Sequence, residues 1–285
     1  MKKIIAAAVA SAFVAPAFAA DVTLSGGADF YYKDANSQTS TGWDSNAFSI
    51  KASSETANGI GVSMDINIGT QATDDGSGSI TLSGPFGTID MGDTSSATDA
   101  FDDLTDKDVV VGGVGGGGDN DAAILWTLPV GVDGLTVVVS HAANTNNAAG
   151  GQTNSANGYG FKYSVGGVSL AYATLDAETN TSDQSYVGAT ASFGGLGVAV
   201  EQWATGASGA AAKTQGIGAT YSMGDTSLAL SNAKEKSTAG ATTSDNTVIT
   251  VKHSLGGGLT VFAETRSNSK SATDDANAVG VVYAF

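Results

Sequence analysis

The strongest constraint on this chain is an alternation of apolar and polar residues with a period of two, repeated in segments of about ten residues from Val22 to Phe285. Val22, Leu24, Gly26, Ala28, Phe30 and Tyr32 share one parity, while Thr23, Ser25, Asp29 and Lys33 share the other. Side chains on a strand point alternately to its two faces, so each segment has one apolar and one polar face. Phe48, Ile50 and Ala52 oppose Ser49, Lys51 and Ser53 in the same way, and Ile60, Val62, Met64, Ile66 and Ile68 oppose Ser63, Asp65 and Asn67. The pattern returns in Tyr159, Phe161, Tyr163 and Val165, and closes the chain with Val279, Val281, Tyr283 and Phe285. Sixteen strands are predicted, near 22–33, 45–55, 59–69, 78–83, 86–92, 122–128, 134–142, 157–165, 167–175, 184–193, 196–205, 214–222, 225–234, 246–254, 258–267 and 276–285.

The connections alternate in length. Short turns fall at Thr56–Asn58, Gly84-Pro85, Pro129–Gly134, Gly166-Gly167, Gly194-Gly195, Met223–Asp225 and Gly256–Gly258. Longer polar loops lie between them, near 34–44, 70–77, 93–121, 143–156, 176–183, 206–213, 235–245 and 268–275. Such a sequence fits an up-and-down meander whose two termini lie on the short-turn side, the form of outer-membrane barrels.

Two architectures compete for this pattern. A soluble sandwich, such as a secreted β-rich surface or adhesin-like protein, packs its apolar faces into a core that large side chains must fill. Here the polar parity is mostly Gly, Ala, Ser and Thr with an occasional charge, which suits a water-filled interior. The reading adopted is all-β: a sixteen-stranded antiparallel transmembrane β-barrel forming one domain over residues 20–285. The secreted alternative would remain soluble without detergent.

Residues 1–19 read as a signal peptide: Lys2 and Lys3, the apolar run Ile4–Val14, then Ala17-Phe18-Ala19 as a small-x-small cleavage site. The apolar run is too short for a spanning helix, which needs roughly 20 residues. Beyond it stand 10 basic and 28 acidic residues, a net charge of −18 that argues against a nucleic-acid partner. Charged residues make up only 14% of the chain, against about 25% in soluble domains, as expected of a wall facing lipid. There is no cysteine, hence no disulfide.

Several stretches resemble the Gram-negative general porins of the outer membrane. VTLSGGADFYY resembles the first strand of that family, NAFSIKASSETANGIGVSM its second hairpin, GPFGTIDMGD the strand before its constriction loop, and VVYAF its last strand with the terminal aromatic. The resemblance implies a sixteen-stranded barrel in the cell outer membrane and a homotrimer. It implies passive diffusion of small hydrophilic solutes, and recognition of Phe285 by the barrel-assembly machinery. The chain departs from the family at Asp93, where an arginine is common, so no arginine-based constriction carries over.

The segment 93–121 is the third long loop. It is too long and polar for an ordinary connection, which points to function. From residue 94 onward it holds seven aspartates, Asp99, Asp102, Asp103, Asp106, Asp108, Asp119 and Asp121, with Lys107 as its one base. Its apolar patch Val109–Val111, with Phe101 and Leu104, would be buried against the inner wall of a barrel. The predicted constriction therefore contains Asp99, Asp102, Asp103 and Asp106, facing a basic arc of Lys33, Lys51, Lys252 and Arg266, with Lys51 the central base because it falls mid-strand. On the polar parity Asp29, Asp65, Asp90, Glu201 and Glu264 balance Lys33, Lys51, Lys162, Lys252 and Arg266. The loop then sets the sign, and carboxylates in a narrow lumen favour cations. A porin of the same fold with a specific substrate is the other functional reading.

No cofactor is expected, apart from a weak Ca2+ site that Asp102, Asp103, Asp106 and Asp108 could offer without EF-hand spacing. Gly113, Gly115 and Gly118 spell GxGxxG but precede a strand and not a helix, so no dinucleotide site follows. His141 and His253 fall on strands without a nucleophile motif, and no enzymatic activity is expected. Trp126, Trp203, Tyr159, Phe193, Tyr221 and Phe285 are expected in aromatic girdles.

Overall fold

A computed structural model describes residues 21–35, 38–69, 77–101, 109–111, 121–142, 155–178, 183–206, 211–271 and 274–285, without the side chains of 44–47 and 121–122. The first eight strands are β1 (Asp21–Ala35), β2 (Gln38–Glu55), β3 (Gly61–Gly69), β4 (Ser77–Gly84), β5 (Gly87–Ser95), β6 (Asp121–Thr127), β7 (Leu135–Ala142) and β8 (Ala156–Val165). The second eight are β9 (Val168–Ala177), β10 (Gln184–Phe193), β11 (Leu196–Thr205), β12 (Ala212–Met223), β13 (Thr226–Lys236), β14 (Thr242–Gly256), β15 (Leu259–Asn268) and β16 (Ala276–Ala284).

Each strand pairs antiparallel with its sequence neighbours, and β1 pairs with β16 from Gly27↔Ala284 to Ala35↔Ala276, so the sheet is a closed barrel. Phe285 extends that seam by exchanging backbone hydrogen bonds with Gly26 (3.0 and 3.1 Å). Closure leaves no unpaired edge, which any sheet must avoid in hydrocarbon.

The faces follow the alternation. On β11, Val200 is 49% exposed on the outside, whereas Ala199 and Glu201 are 8% and 7% exposed inside. Outward Val, Leu, Ile and Tyr side chains continue around the wall, among them Ile217, Leu228, Leu230 and Val279. Their exposure on a closed sheet excludes the sandwich, in which this face would form the core. At about 25 cal/mol per Å² of apolar surface removed from water, such a belt is stable only against lipid.

Four expectations change. Residues 34–44 are not a long loop: β1 runs to Ala35 and β2 begins at Gln38. β14 likewise begins at Thr242, inside the predicted loop 235–245. Above the apolar belt both faces of a strand meet water, so pairing continues there while the alternation fades. Because β2 is longer than predicted, Lys51 is not mid-strand; it pairs with Thr23 and lies four residues from the Glu55 end. Trp203 does not join a girdle either, being 1% exposed and on the inward parity of Glu201.

Candidate constriction site

The long segment after β5 enters the lumen through a bulge. The β5–β6 register shifts between Met91 and Thr94, and Gly92 there has φ 107°. A Cβ at Gly92 would lie 2.5 Å from the Gly78 carbonyl oxygen, so only glycine fits this left-handed, crowded position. Bulges re-aim the chain that follows.

Ser96–Phe101 then closes one turn. Ala100 N donates to Ser96 O (2.9 Å), and Asp99 N to Ser96 Oγ (3.3 Å). Ser96, Ala97, Thr98 and Phe101 are buried, packed on the inner faces of β6 to β11 with Leu125, Val138, Ala171, Ala173, Tyr186 and Trp203. Polar groups register the turn: Ala97 N donates to Ser140 Oγ (2.9 Å) and Thr98 Oγ1 to Gln184 Oε1 (3.4 Å). Lys162 Nζ sits 5.7 Å from the centre of the Phe101 ring, within cation–π range. The wall makes room by omission. A Cβ on Gly158 would meet Ala97 Cβ at 2.9 Å, and one on Gly160 would meet Phe101 Cε2 at 2.7 Å.

The segment Val109–Val111 makes a second contact, on the inner wall of β13 to β16 and β1. Val110 and Val111 pack with Ala233, Val248, Phe262, Ala276 and Ala278, with Tyr31 and Ala35 alongside. The Glu264 carboxylate, 5% exposed, accepts three successive backbone N–H groups: Val109 on Oε2 (2.8 Å), Val110 and Val111 on Oε1 (2.6 and 2.9 Å). Successive amides turned to one point make an anion-binding nest. Lys33 Nζ donates to Val110 O (2.6 Å) from the other side. Lys33 and Glu264 stand in one cross-strand row, both opposite Ala278.

The structure thus brings Lys33 onto the loop itself and sets the loop's second contact on the basic arc that it was expected to face. Glu264, read in the sequence only as a wall charge, is the acceptor at that contact. Lys252 lies inward one row below, opposite Phe262. Arg266 Nε donates to Asp274 O (2.9 Å), toward the β15–β16 connection. Lys51 lies far down β2, opposite Asp65, whose Oδ1 accepts from Ser49 Oγ (2.7 Å). Asp99 is half-buried in the first turn. Asp102, Asp103 and Asp106, the Ca2+ reading that rests on them with Asp108, and the GxGxxG glycines lie outside the described residues. Ser140, Gln184, Gly158 and Gly160 carried no functional expectation. Their signal was inward parity, with β8 presenting no side chain at two successive inward positions.

The comparisons agree with this geometry. The family model for Gram-negative porins matches residues 6–273. A porin refined at 1.8 Å resolution superposes with TM-score 0.73 at 19% identity, over 93% of this chain and 100% of that one. A triple mutant of the Rhodopseudomonas blastica porin superposes with TM-score 0.72 at 17% identity and the same coverage. No curated protein sequence matches. With a closed sixteen-stranded barrel, an apolar exterior and a loop held inside the lumen, this chain belongs to the Gram-negative porin family and is a channel of the outer membrane.

Proposed function

We propose that this porin is a homotrimeric, cation-preferring channel for passive diffusion of small hydrophilic solutes and ions, exported with residues 1–19 removed. The observation that carries the preference is that both described ends of the loop are held inside the barrel, Phe101 buried and Val109 half-buried beside the buried Val110 and Val111. The sequence between them holds Asp102, Asp103, Asp106 and Asp108 against Lys107. Low-dielectric walls focus the field of such carboxylates, and a narrow lumen converts it into selectivity. Wall charges do not cancel it, since Asp29, Asp65, Asp90, Glu201 and Glu264 offset Lys33, Lys51, Lys162, Lys252 and Arg266 on the inward parity. Diffusion requires no chemical step, so no residue is assigned a catalytic role. The family's membership supports oligomerisation, and Phe285 at the closing seam is available as the assembly signal.

Planar-bilayer recording under a salt gradient tests the reading. Wild-type protein should insert in three-step events with a cation-favouring reversal potential. Replacing Asp99, Asp102, Asp103 and Asp106 with asparagine should move that potential toward zero by roughly a kT-scale change in lumen field. An unchanged potential removes the loop from the explanation of selectivity. Solute flux that saturates would instead favour a substrate-specific porin.

A further inference from the structure

The two loop contacts cover the inner wall unevenly. The first lies on β6 to β11, the second on β13 to β16 and β1. Among the described side chains of β2 to β5 none is buried, so the free part of the lumen runs along these four strands. Most of the basic arc lies elsewhere: Lys33 holds the loop, and Lys252 and Arg266 stand on strands that the second contact covers. The one base on β2 to β5 is Lys51.

Two cross-strand rows carry charge along this free wall. In one, Lys51 is opposite Asp65, Asp65 opposite Ser79, and Ser79 opposite Gly92, where the loop departs. In the other, Thr81 is opposite Asp90, and Asp90 opposite Leu125, which the first turn buries. Both rows therefore reach the level of the loop. Hydroxyls orient the two carboxylates: Ser49 Oγ donates to Asp65 Oδ1 (2.7 Å), and Thr81 Oγ1 to Asp90 Oδ1 (2.5 Å). A carboxylate with one such donor keeps room for further donors. Lys51 is exposed, and its ammonium has no side-chain partner among the described residues.

Asp65 and Asp90 stand two strands and two residues apart, which at ordinary sheet spacing sets their Cα atoms about 12 Å from each other. An extended chain of five carbons between two ammonium groups spans about that distance once a hydrogen bond of about 2.8 Å is added at each end. Lys51, beside Asp65, supplies a cation where an α-carboxylate would lie. One cation and two anions in this order complement a solute with one carboxylate and two ammonium groups.

We propose that the lumen wall of β2 to β5 is a weak binding site for cationic α-amino acids. Lys51 takes the carboxylate, Asp65 the α-ammonium and Asp90 the side-chain cation. The inference rests on the reading of the lumen as a diffusion channel and adds one solute class whose passage saturates, while alkali cations and neutral solutes cross without saturation. Binding of this kind attracts a solute into the lumen and still lets it leave.

The test adds L-lysine, cadaverine or L-norleucine to full-length porin in planar bilayers and reads the fall and the noise of the KCl current. Cadaverine lacks the carboxylate and L-norleucine lacks the side-chain cation. L-Lysine should act at a concentration about tenfold below either analogue, the worth of one contact to a charged group. Asp90→Asn should bring L-lysine to the L-norleucine value. Lys51→Gln should bring it to the cadaverine value without weakening cadaverine. Wild-type porin that responds equally to L-lysine and to either analogue overturns the proposal, and so does an unchanged L-lysine response in both variants. A salt-gradient reversal potential is read in the same membranes. Cation-preferring channels that ignore L-lysine overturn this site alone, whereas an absence of channels overturns the diffusion reading beneath it.

Discussion

The two places where the loop meets the wall differ in how their stability is distributed. At the first, Ser96–Phe101 is held by burial of Phe101 and by neutral hydrogen bonds to Ser140 and Gln184. Neutral bonds contribute about 0.5–1.5 kcal/mol each, and burial of an aromatic about 1.5–3 kcal/mol, so no single polar contact dominates. At the second, one carboxylate receives three amides and one ammonium answers from across the segment. Bonds to a charged acceptor contribute about 1.5–3 kcal/mol each. The first contact is therefore tolerant of single polar changes and sensitive to volume, while the second is concentrated in one side chain.

The largest effect should come from Glu264→Ala. It strands three amide donors in an apolar pocket, and the segment can satisfy them only by leaving the wall for water. Single-channel recordings should show a higher and noisier open conductance, with the first contact still in place. Glu264→Gln keeps one carbonyl oxygen where two of the amides converge and should fall between wild type and alanine. Wild-type noise in both variants would mean that Val109–Val111 is held by its packing alone.

The wall was far more legible in the sequence than the loop. Strands such as β10 (Gln184–Phe193) and β11 (Leu196–Thr205) could be bounded to the residue because lipid outside and water inside act on successive side chains in opposite senses. That force ends with the apolar belt, which is why the paired ends around Ala35 and Gln38 read as a loop. Trp203 lies close to a strand end, where a girdle aromatic is expected, but its parity with Glu201 places it inside. Its inward position is stable because the first loop contact covers it, making a local core inside a wet lumen. The nest at Glu264 could not be read at all, since it depends on three consecutive amides turning to one side, which side-chain type does not report.

Gly160→Val probes the first contact by volume and should have the next largest effect. Valine suits a strand, but its Cβ would lie within 2.7 Å of the Phe101 ring. Displacing that ring costs about 1–3 kcal/mol as overpacking, and it also removes the partner of the Lys162 ammonium. Limited proteolysis should cut the loop near residue 101 faster than in wild type, while Ser140→Ala, which deletes one neutral bond, should change the rate little. If Ser140→Ala matches Gly160→Val, the first contact is as concentrated as the second and the contrast between them fails.

Lys33→Met should have the smallest effect on the loop and the most informative one on selectivity. The substitution keeps the apolar stem beside Val110 and deletes one charge-assisted bond, about 1.5 kcal/mol, while the three amides still hold Glu264. The loop should stay seated, so open-channel noise should rise only slightly. The lumen row shared by Lys33, Ala278 and Glu264 loses its one base, however, and the balance of inward charge moves toward the acids. Reversal potentials should therefore shift further toward cations at nearly constant conductance. A large conductance change with no shift in reversal potential would assign Lys33 to mechanical support alone, and would leave the second contact dependent on two residues instead of one.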